Sequence, residues 1–283
     1  MTERLAGIGD EAASSLERQI AIHADLGLEG LELRTVDGEP VDRVPARALA
    51  EAVAAAGLVV PAIDTTLGNW ETPVTADFIG ELELLRRSAA VAHELGCRFL
   101  RIMSYPNDGL EPERWRGEAI RRVAALASEA ERLDVVLLHE NCAGWAGQGP
   151  DETLELLDAV ASPSLQLLFD PGNCIAYGID PLELLEATVD HVAHVHVKDA
   201  RRSDGTTVFT APGEGDARLG ECLDVLERAG YSGWLSIEPH LQRIPHLHLA
   251  AADDELEAAY RGYACSLREL LRARAARETS TAR

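Results

Sequence analysis

The chain has 283 residues, 46% of them hydrophobic and 26% charged, and carries a formal net charge of −22 at pH 7. Such a length suits one large α/β domain or two ordinary ones, with enough apolar residues for a sizeable core. The acidity disfavours a nucleic-acid partner, which needs a basic face to neutralise phosphates, and no apolar run approaches the ~20 residues that span a membrane.

The five cysteines, Cys97, Cys142, Cys174, Cys222 and Cys265, are odd in number and form no C-x-x-C pair. They point to a reducing cytoplasm rather than a disulfide framework. The first residues, MTERLAGIGDE, lack the apolar stretch of a signal peptide.

Short β-like runs alternate with amphipathic helical stretches along the whole chain. Leu5–Gly9 reads as the first strand and Ala13–Leu26 as a helix ended by Gly27. Leu28–Arg34 is the second strand, followed by a helix over Pro45–Ala56 with Gly57 at the C′ position. Leu58–Asp64 is the third strand, then a Gly-Asn-Trp loop and a helix over Ile79–Leu95 stopped by Gly96. Cys97–Ser104 is the fourth strand, with Pro112–Leu133 as its helix.

The second half repeats the pattern. Val135–Asn141, Leu165–Asp170, Val192–Lys198 and Trp234–Glu238 read as strands five to eight. Their helices are Asp151–Val160, Pro181–Thr188, Leu219–Ala229 and Asp253–Arg274. Eight such βα units of ~30–35 residues, with no linker between them, predict one (β/α)8 barrel with eight parallel strands over residues 1–274. An Arg/Ser/Thr-rich tail, 275–283, is expected to fray. A doubly wound sheet is the competing architecture, but Gly7-Ile8-Gly9-Asp10 lacks the third glycine of a dinucleotide turn.

In such a barrel the site lies at the C-terminal ends of the strands. The stretch HVAHVHVKD (His191–Asp199) puts His194, His196 and Lys198 on one strand face, opposite Val195 and Val197. Glu140 shares parity with Val136 and Leu138, Asp170 with Leu168, and Glu238 with Trp234 and Ser236. All four of Glu140, Asp170, His196 and Glu238 can therefore point into the barrel mouth. Three converging carboxylates repel one another unless a cation lies among them. One imidazole with three carboxylates suits a single Mn²⁺ best, with Mg²⁺, Co²⁺ or catalytic Zn²⁺ as alternatives.

Other residues carry two readings each. Lys198 either meets substrate or pairs with an acid, and Arg202 is a substrate contact or a solvated loop arginine. Glu32 and Arg34 form a buried pair or face the substrate, and Arg101 reaches a substrate anion or neutralises a carboxylate. Trp70, Tyr105 and Trp145 wall a sugar ring or pack the rim. His194 and His139 read as core histidines, and Cys142 and Cys174 as small fillers. In the His-rich segment from His240 to His248, only His240 is close enough to the last strand to reach the site.

Glu140-Asn141, Asp170-Pro-Gly-Asn173, His194-Val-His196-Val-Lys-Asp199, Gly213-Glu-Gly-Asp216 and Ser236-Ile-Glu238-Pro together resemble the xylose-isomerase-like TIM-barrel superfamily. They look most like its sugar (phosphate) isomerase/epimerase branch, which includes ketose 3-epimerases, hydroxypyruvate isomerases and inosose dehydratases. The resemblance implies metal ligands at Glu140, Asp170, His196 and Glu238, with Glu140 and Glu238 as the acid/base pair. Two positions depart from the family pattern: Asn173 stands where ketose 3-epimerases carry histidine, and Cys142 where many relatives continue Glu-Asn-His.

The expected activity is isomerisation or epimerisation of a small unphosphorylated keto-sugar or cyclitol through an enediolate, with Arg34, Trp70, Arg101, Asn173, Lys198, Arg202 and His240 as substrate contacts. A lyase using the same metal site, an inosose-type dehydratase or an enzyme cleaving oxidised glycosides, is the alternative. An endonuclease IV-like nuclease fits poorly, needing a His-rich zinc cluster and a basic groove, and a non-catalytic barrel is a further alternative. The resemblance also implies a homo-oligomer.

Overall fold

The computed structural model describes residues 4–245 and 249–281. Eight barrel strands alternate with helices: β1 (Arg4–Ile8), β2 (Gly30–Glu32), β3 (Ile63–Asp64), β4 (Phe99–Ser104), β5 (Val136–Gly144), β6 (Leu165–Phe169), β7 (Val192–Val197) and β8 (Trp234–Ile237). They form one parallel sheet in the order β2-β1-β8-β7-β6-β5-β4-β3. Its two end strands meet through the bridges Gly30–Val59 and Leu33–Ile63, which bring the sheet round into a barrel. The predicted (β/α)8 architecture is the one found.

The third strand is much shorter than the Leu58–Asp64 expected from its apolar run. Pro61 has no N–H to give to a ladder, so regular pairing begins only at Ile63. Val59 still exchanges backbone hydrogen bonds with Glu29 and Leu31, and these carry the seam past the proline.

The helices are α1 (Leu16–Asp25), α2 (Ala46–Ala55), α3 (Phe78–Glu94), α4 (Pro112–Arg132), α5 (Pro150–Val160), α6 (Pro171–Tyr177), α7 (Pro181–Thr188), α8 (Leu219–Arg228) and α9 (Asp253–Thr281). Side-chain oxygens of Ser15, Asp77 and Asp180 cap α1, α3 and α7. Gly27, Gly57 and Gly96 adopt positive φ just beyond α1, α2 and α3, as their stop positions require. The closing helix continues through Thr281, past residue 274 where the sequence pattern ended it; Ala-Arg-Ala-Ala-Arg-Glu is a good helix former.

Two apolar layers surround the strands. Leu31, Leu33, Leu100, Ile102 and Leu137 face α2–α5, and Val195, Val197, Leu235 and Ile237 pack with residues of α8 and α9. Each such buried side chain contributes roughly 1.5–3 kcal/mol. Inside the barrel the apolar filling is small, a cluster of Ala62, Leu138 and Leu168. The inward positions above it carry charge.

A hairpin, Asp199–Ser203 with Thr206–Thr210, follows β7 and packs on α6. The sequence pattern predicts a loop here, although Asp204-Gly205 is a two-residue turn signal. Both residues take positive φ, 50° and 79°, as the turn demands. A smaller hairpin, Arg243–Ile244 with Leu249–Ala250, follows β8; His246 and His248 lie outside the described residues. No helix among the described residues is long and apolar enough to cross a membrane.

Candidate metal centre and active site

Glu140, Asp170, His196 and Glu238 come from four adjacent staves of the barrel, β5, β6, β7 and β8. All four are buried, and one ligand atom from each lies within 4.8 Å of all the others. His196 Nδ1 is 3.3 Å from Glu238 Oε2 and 3.7 Å from Glu140 Oε1, and it has no hydrogen-bond partner. The local sequence builds this directly. Asp170 directly follows β6 and is the N-cap of α6, its Oδ1 accepting from the Asn173 N–H, with Pro171 at the first helical position. Its other oxygen faces the mouth.

Basic and amide groups fix the carboxylates. Arg101 Nη1 donates to Glu140 Oε2 at 3.0 Å, and Asn173 Nδ2 donates to Glu140 Oε1 at 2.8 Å. Lys198 Nζ donates to Asp170 Oδ2 at 2.6 Å and to Asn173 Oδ1 at 3.1 Å, and contacts Glu238 Oε2 at 2.5 Å. Arg34 gathers three acids: Nε donates to Asp10 Oδ1, Nη2 to Glu11 Oε1 and Nη1 to Glu238 Oε1, at 3.0, 2.7 and 3.0 Å. Gly172 leaves room for the lysine, because a Cβ there would come within 2.5 Å of Lys198 Cγ.

Seven buried carboxyl groups share this region with three buried cations, Arg34, Arg101 and Lys198: Asp10, Glu11, Glu32, Asp64, Glu140, Asp170 and Glu238. Burial pushes Asp170 up to about 6, against the pull of Lys198, and Asp64 up to about 8 against Arg101. Burial also acts on Glu140 and Glu238, but there the neighbouring cations win. Arg101 and His196 hold Glu140 down at about 2, while Lys198, His240 and His196 hold Glu238 well below the usual carboxylate range. Burial disfavours the imidazolium of His196, yet Glu32 and Glu238 raise it well above its ordinary value.

The residues fit a divalent cation. An unpartnered imidazole nitrogen and oxygens from three carboxylates converge in a volume of ligand size, in a region with excess negative charge. Lys198, Arg34 and Arg101 would remain around such an ion and hold its ligands.

The other expected site residues divide. Arg34, Arg101, Asn173 and Lys198 join the cluster as described. His240, in a left-handed conformation (φ 51°), packs its ring on Phe209 at 5.0 Å, with Nδ1 3.2 Å from Glu11 and 3.8 Å from Glu238. Trp70 lines a cavity of about 390 Å³ with Asp10, Arg34, Asp64, Arg101 and Arg243, a size suited to a small ligand. None of the four metal candidates lines this cavity; Arg34 and Arg101, bonded to Glu238 and Glu140, form the shared wall. Arg202 is exposed on the hairpin after β7, outside the cluster. Tyr105 and Trp145 are buried rim residues. Cys174 is buried, and Cys142 lies against Tyr177.

Several groups here carry no functional signal in the sequence. Asp10 and Glu11 occupy a single helical turn after β1 and hold Arg34. The sequence shows Asp64 only as a strand end, and leaves Glu32 either paired with Arg34 or facing the substrate. The structure instead joins Glu32 to His194 and His196.

Residues 20–261 match the family described as xylose isomerase-like TIM barrel. The chain belongs to that family. An inosose dehydratase of Clostridium perfringens is 31% identical over 146 residues, which cover 46% of this chain and 48% of that protein. The chain thus spans about half the length of the curated relatives it matches first. Among solved structures, the IolI protein with a bound zinc atom is similar at TM-score 0.75 and 18% identity, covering 94% of this chain and 97% of that one. An L-ribulose 3-epimerase is similar at TM-score 0.75 and 18% identity, covering 99% and 97%. The names these similar proteins carry include a dehydratase and an epimerase.

Proposed function

We propose that the protein is a divalent-metal-dependent isomerase or epimerase of a small polyhydroxylated ketone, a keto-sugar or cyclitol. The observation that carries this reading is the convergence of Glu140, Asp170, His196 and Glu238 on one point, with His196 Nδ1 unpartnered. Mn²⁺ suits the donor set best, and the zinc in the IolI structure supports Zn²⁺ as an alternative.

A divalent cation at this point supplies Lewis-acid stabilisation of the negative charge that builds on the substrate's carbonyl oxygen. The chain's own groups do the rest. Glu140 on β5 and Glu238 after β8 are separated by two strands, so they approach from different sides. One takes the proton α to the carbonyl and the other returns a proton to the opposite face or the neighbouring carbon. Arg101 and Arg34 orient the two groups and favour ionisation of the one that abstracts the proton, the one that returns a proton acting in its protonated form; Lys198 adds a fixed positive charge beside them. The cavity walls mix both signs of charge: Asp10 and Asp64 beside Arg34, Arg101 and Arg243. That balance suits a neutral polyol better than a phosphorylated substrate.

Dehydration is a second reading, favoured by the inosose dehydratase relatives. The same proton abstraction leads to it when a β-hydroxyl departs. Both readings are tested by incubating metal-loaded protein with inososes and ketoses in D₂O and following the α-proton by NMR. Exchange on one substrate, abolished by chelation and by Glu140→Gln or Glu238→Gln, is expected. A product of unchanged formula indicates isomerisation, and one lighter by one water indicates dehydration. Absence of exchange across the panel, or exchange indifferent to metal, would contradict the proposal.

A further inference from the structure

We propose that Glu32 is a positioning residue for His196: it sets the imidazole's rotation and tautomer so that Nδ1 is the nitrogen offered to the metal. The inference rests on the metal reading above and adds a part that the four ligands do not include.

Glu32 stands at the end of β2, and β1 and β8 separate that strand from β7 in the sheet. Its side chain therefore crosses the barrel interior to meet residues that are neither sequence nor strand neighbours. Oε1 accepts from His196 Nε2 at 3.0 Å, and Oε2 accepts from His194 Nε2 at 2.9 Å. All three side chains are fully buried. Both carboxylate oxygens are used, so Glu32 cannot turn without losing one bond, and His194 is what holds the second oxygen. The two rings stand nearly perpendicular, 81° apart with centroids 5.5 Å apart, which matches a fork of two acceptors facing two donors.

The consequence for His196 follows from imidazole chemistry. A carboxylate is an acceptor only, so the nitrogen facing it carries the hydrogen. In the neutral ring Nε2 is then N–H and Nδ1 holds the lone pair, and Nδ1 is the atom facing Glu140 and Glu238. A carboxylate behind a metal-binding histidine fixes its orientation and raises its basicity, and losing such a partner typically weakens metal binding 10–100-fold. The alternative is that the trio merely fills the barrel interior, in which case removing Glu32 lowers stability and leaves metal binding unchanged.

The two are separated by titrating Co²⁺ against a competing chelator for the full-length wild type, Glu32→Gln and Glu140→Gln, recording the Co²⁺ visible spectrum and the melting temperature of each. Glu32→Gln is expected to weaken Co²⁺ binding about 10–100-fold and to alter the spectrum in protein that still melts cooperatively. A folded Glu32→Gln with wild-type affinity and spectrum overturns the inference. If that variant does not fold, the wild type decides. In the Zn²⁺-saturated protein, ¹⁵N NMR should find His196 as the Nε2–H tautomer with Nδ1 on the metal, and the reverse assignment overturns the inference. A wild type that binds no metal overturns the underlying functional reading instead, whereas loss of binding only in Glu140→Gln leaves that reading standing and removes Glu32 from it.

Discussion

The ammonium of Lys198 lies 2.6 Å from the carboxylate of Asp170, inside the group of residues best arranged to hold a metal. It also touches Glu238 at 2.5 Å, so one cation already contacts two of the four candidate ligands. A lysine so placed would oppose a divalent ion electrostatically, and in the proposed reaction would serve as a fixed charge.

Lys198→Met should therefore separate binding from turnover. Removing a like charge a few ångströms from the ion is expected to tighten metal binding at least about tenfold. Turnover is expected to fall by roughly 10²-fold or more, as it does when one charge-stabilising donor is lost. Metal titration and steady-state kinetics on the same variant check both; weaker metal binding with unchanged kcat would contradict this role.

Arg34 is the centre of the other ionic group. It is 8% exposed and bonds Asp10, Glu11 and Glu238 at once. Arg34→Met leaves three buried carboxylates without their common partner, and breaking a buried pair in this way costs about 3–5 kcal/mol. Denaturant unfolding should resolve a loss of that size, and a change below about 1 kcal/mol would mean the acids find other partners.

His139 predicts an acid limb in the stability profile. It is fully buried, neither ring nitrogen has a hydrogen-bond partner, and burial pushes its pKa down to about 4. Between the ordinary value of 6.5 and about 4, the unfolded chain takes up a proton that the folded chain refuses. Stability is thus expected to fall as pH drops through that window, by up to about 3 kcal/mol from this residue. His23, also buried and pushed to about 4, acts in the same direction. His139→Leu loses no hydrogen bond and should flatten the limb in melts recorded from pH 7 to 4; an unchanged slope would assign the acid sensitivity elsewhere.

The residues that repeat with period two were the legible part of this chain. Parity along single strands was enough to aim Glu140, Asp170, His196 and Glu238 into one mouth, and the βα alternation was enough for the barrel. Partnerships across the barrel were not legible. Glu32 ends β2 and Arg34 follows it with the same parity, so the two look like a pair, yet one bonds His194 and His196 while the other bonds Asp10, Glu11 and Glu238. Which level of one strand meets which level of another depends on the barrel's stagger, a global property that no local pattern encodes. The hairpin after β7 was not legible for a different reason: its Asp-Gly turn is present, but its strands, DARRS and TTVFT, are mostly polar and show no sustained apolar alternation.

One divalent ion per chain is expected, held by Glu140, Asp170, His196 and Glu238. Calorimetric titration of Mn²⁺ into chelator-stripped protein tests it without knowledge of the substrate. One site per chain is expected, lost in folded His196→Ala and Glu238→Gln, with saturation at about 100 times Kd stabilising the fold by about 2.7 kcal/mol. No binding by the wild type, or binding that survives both substitutions, would contradict it.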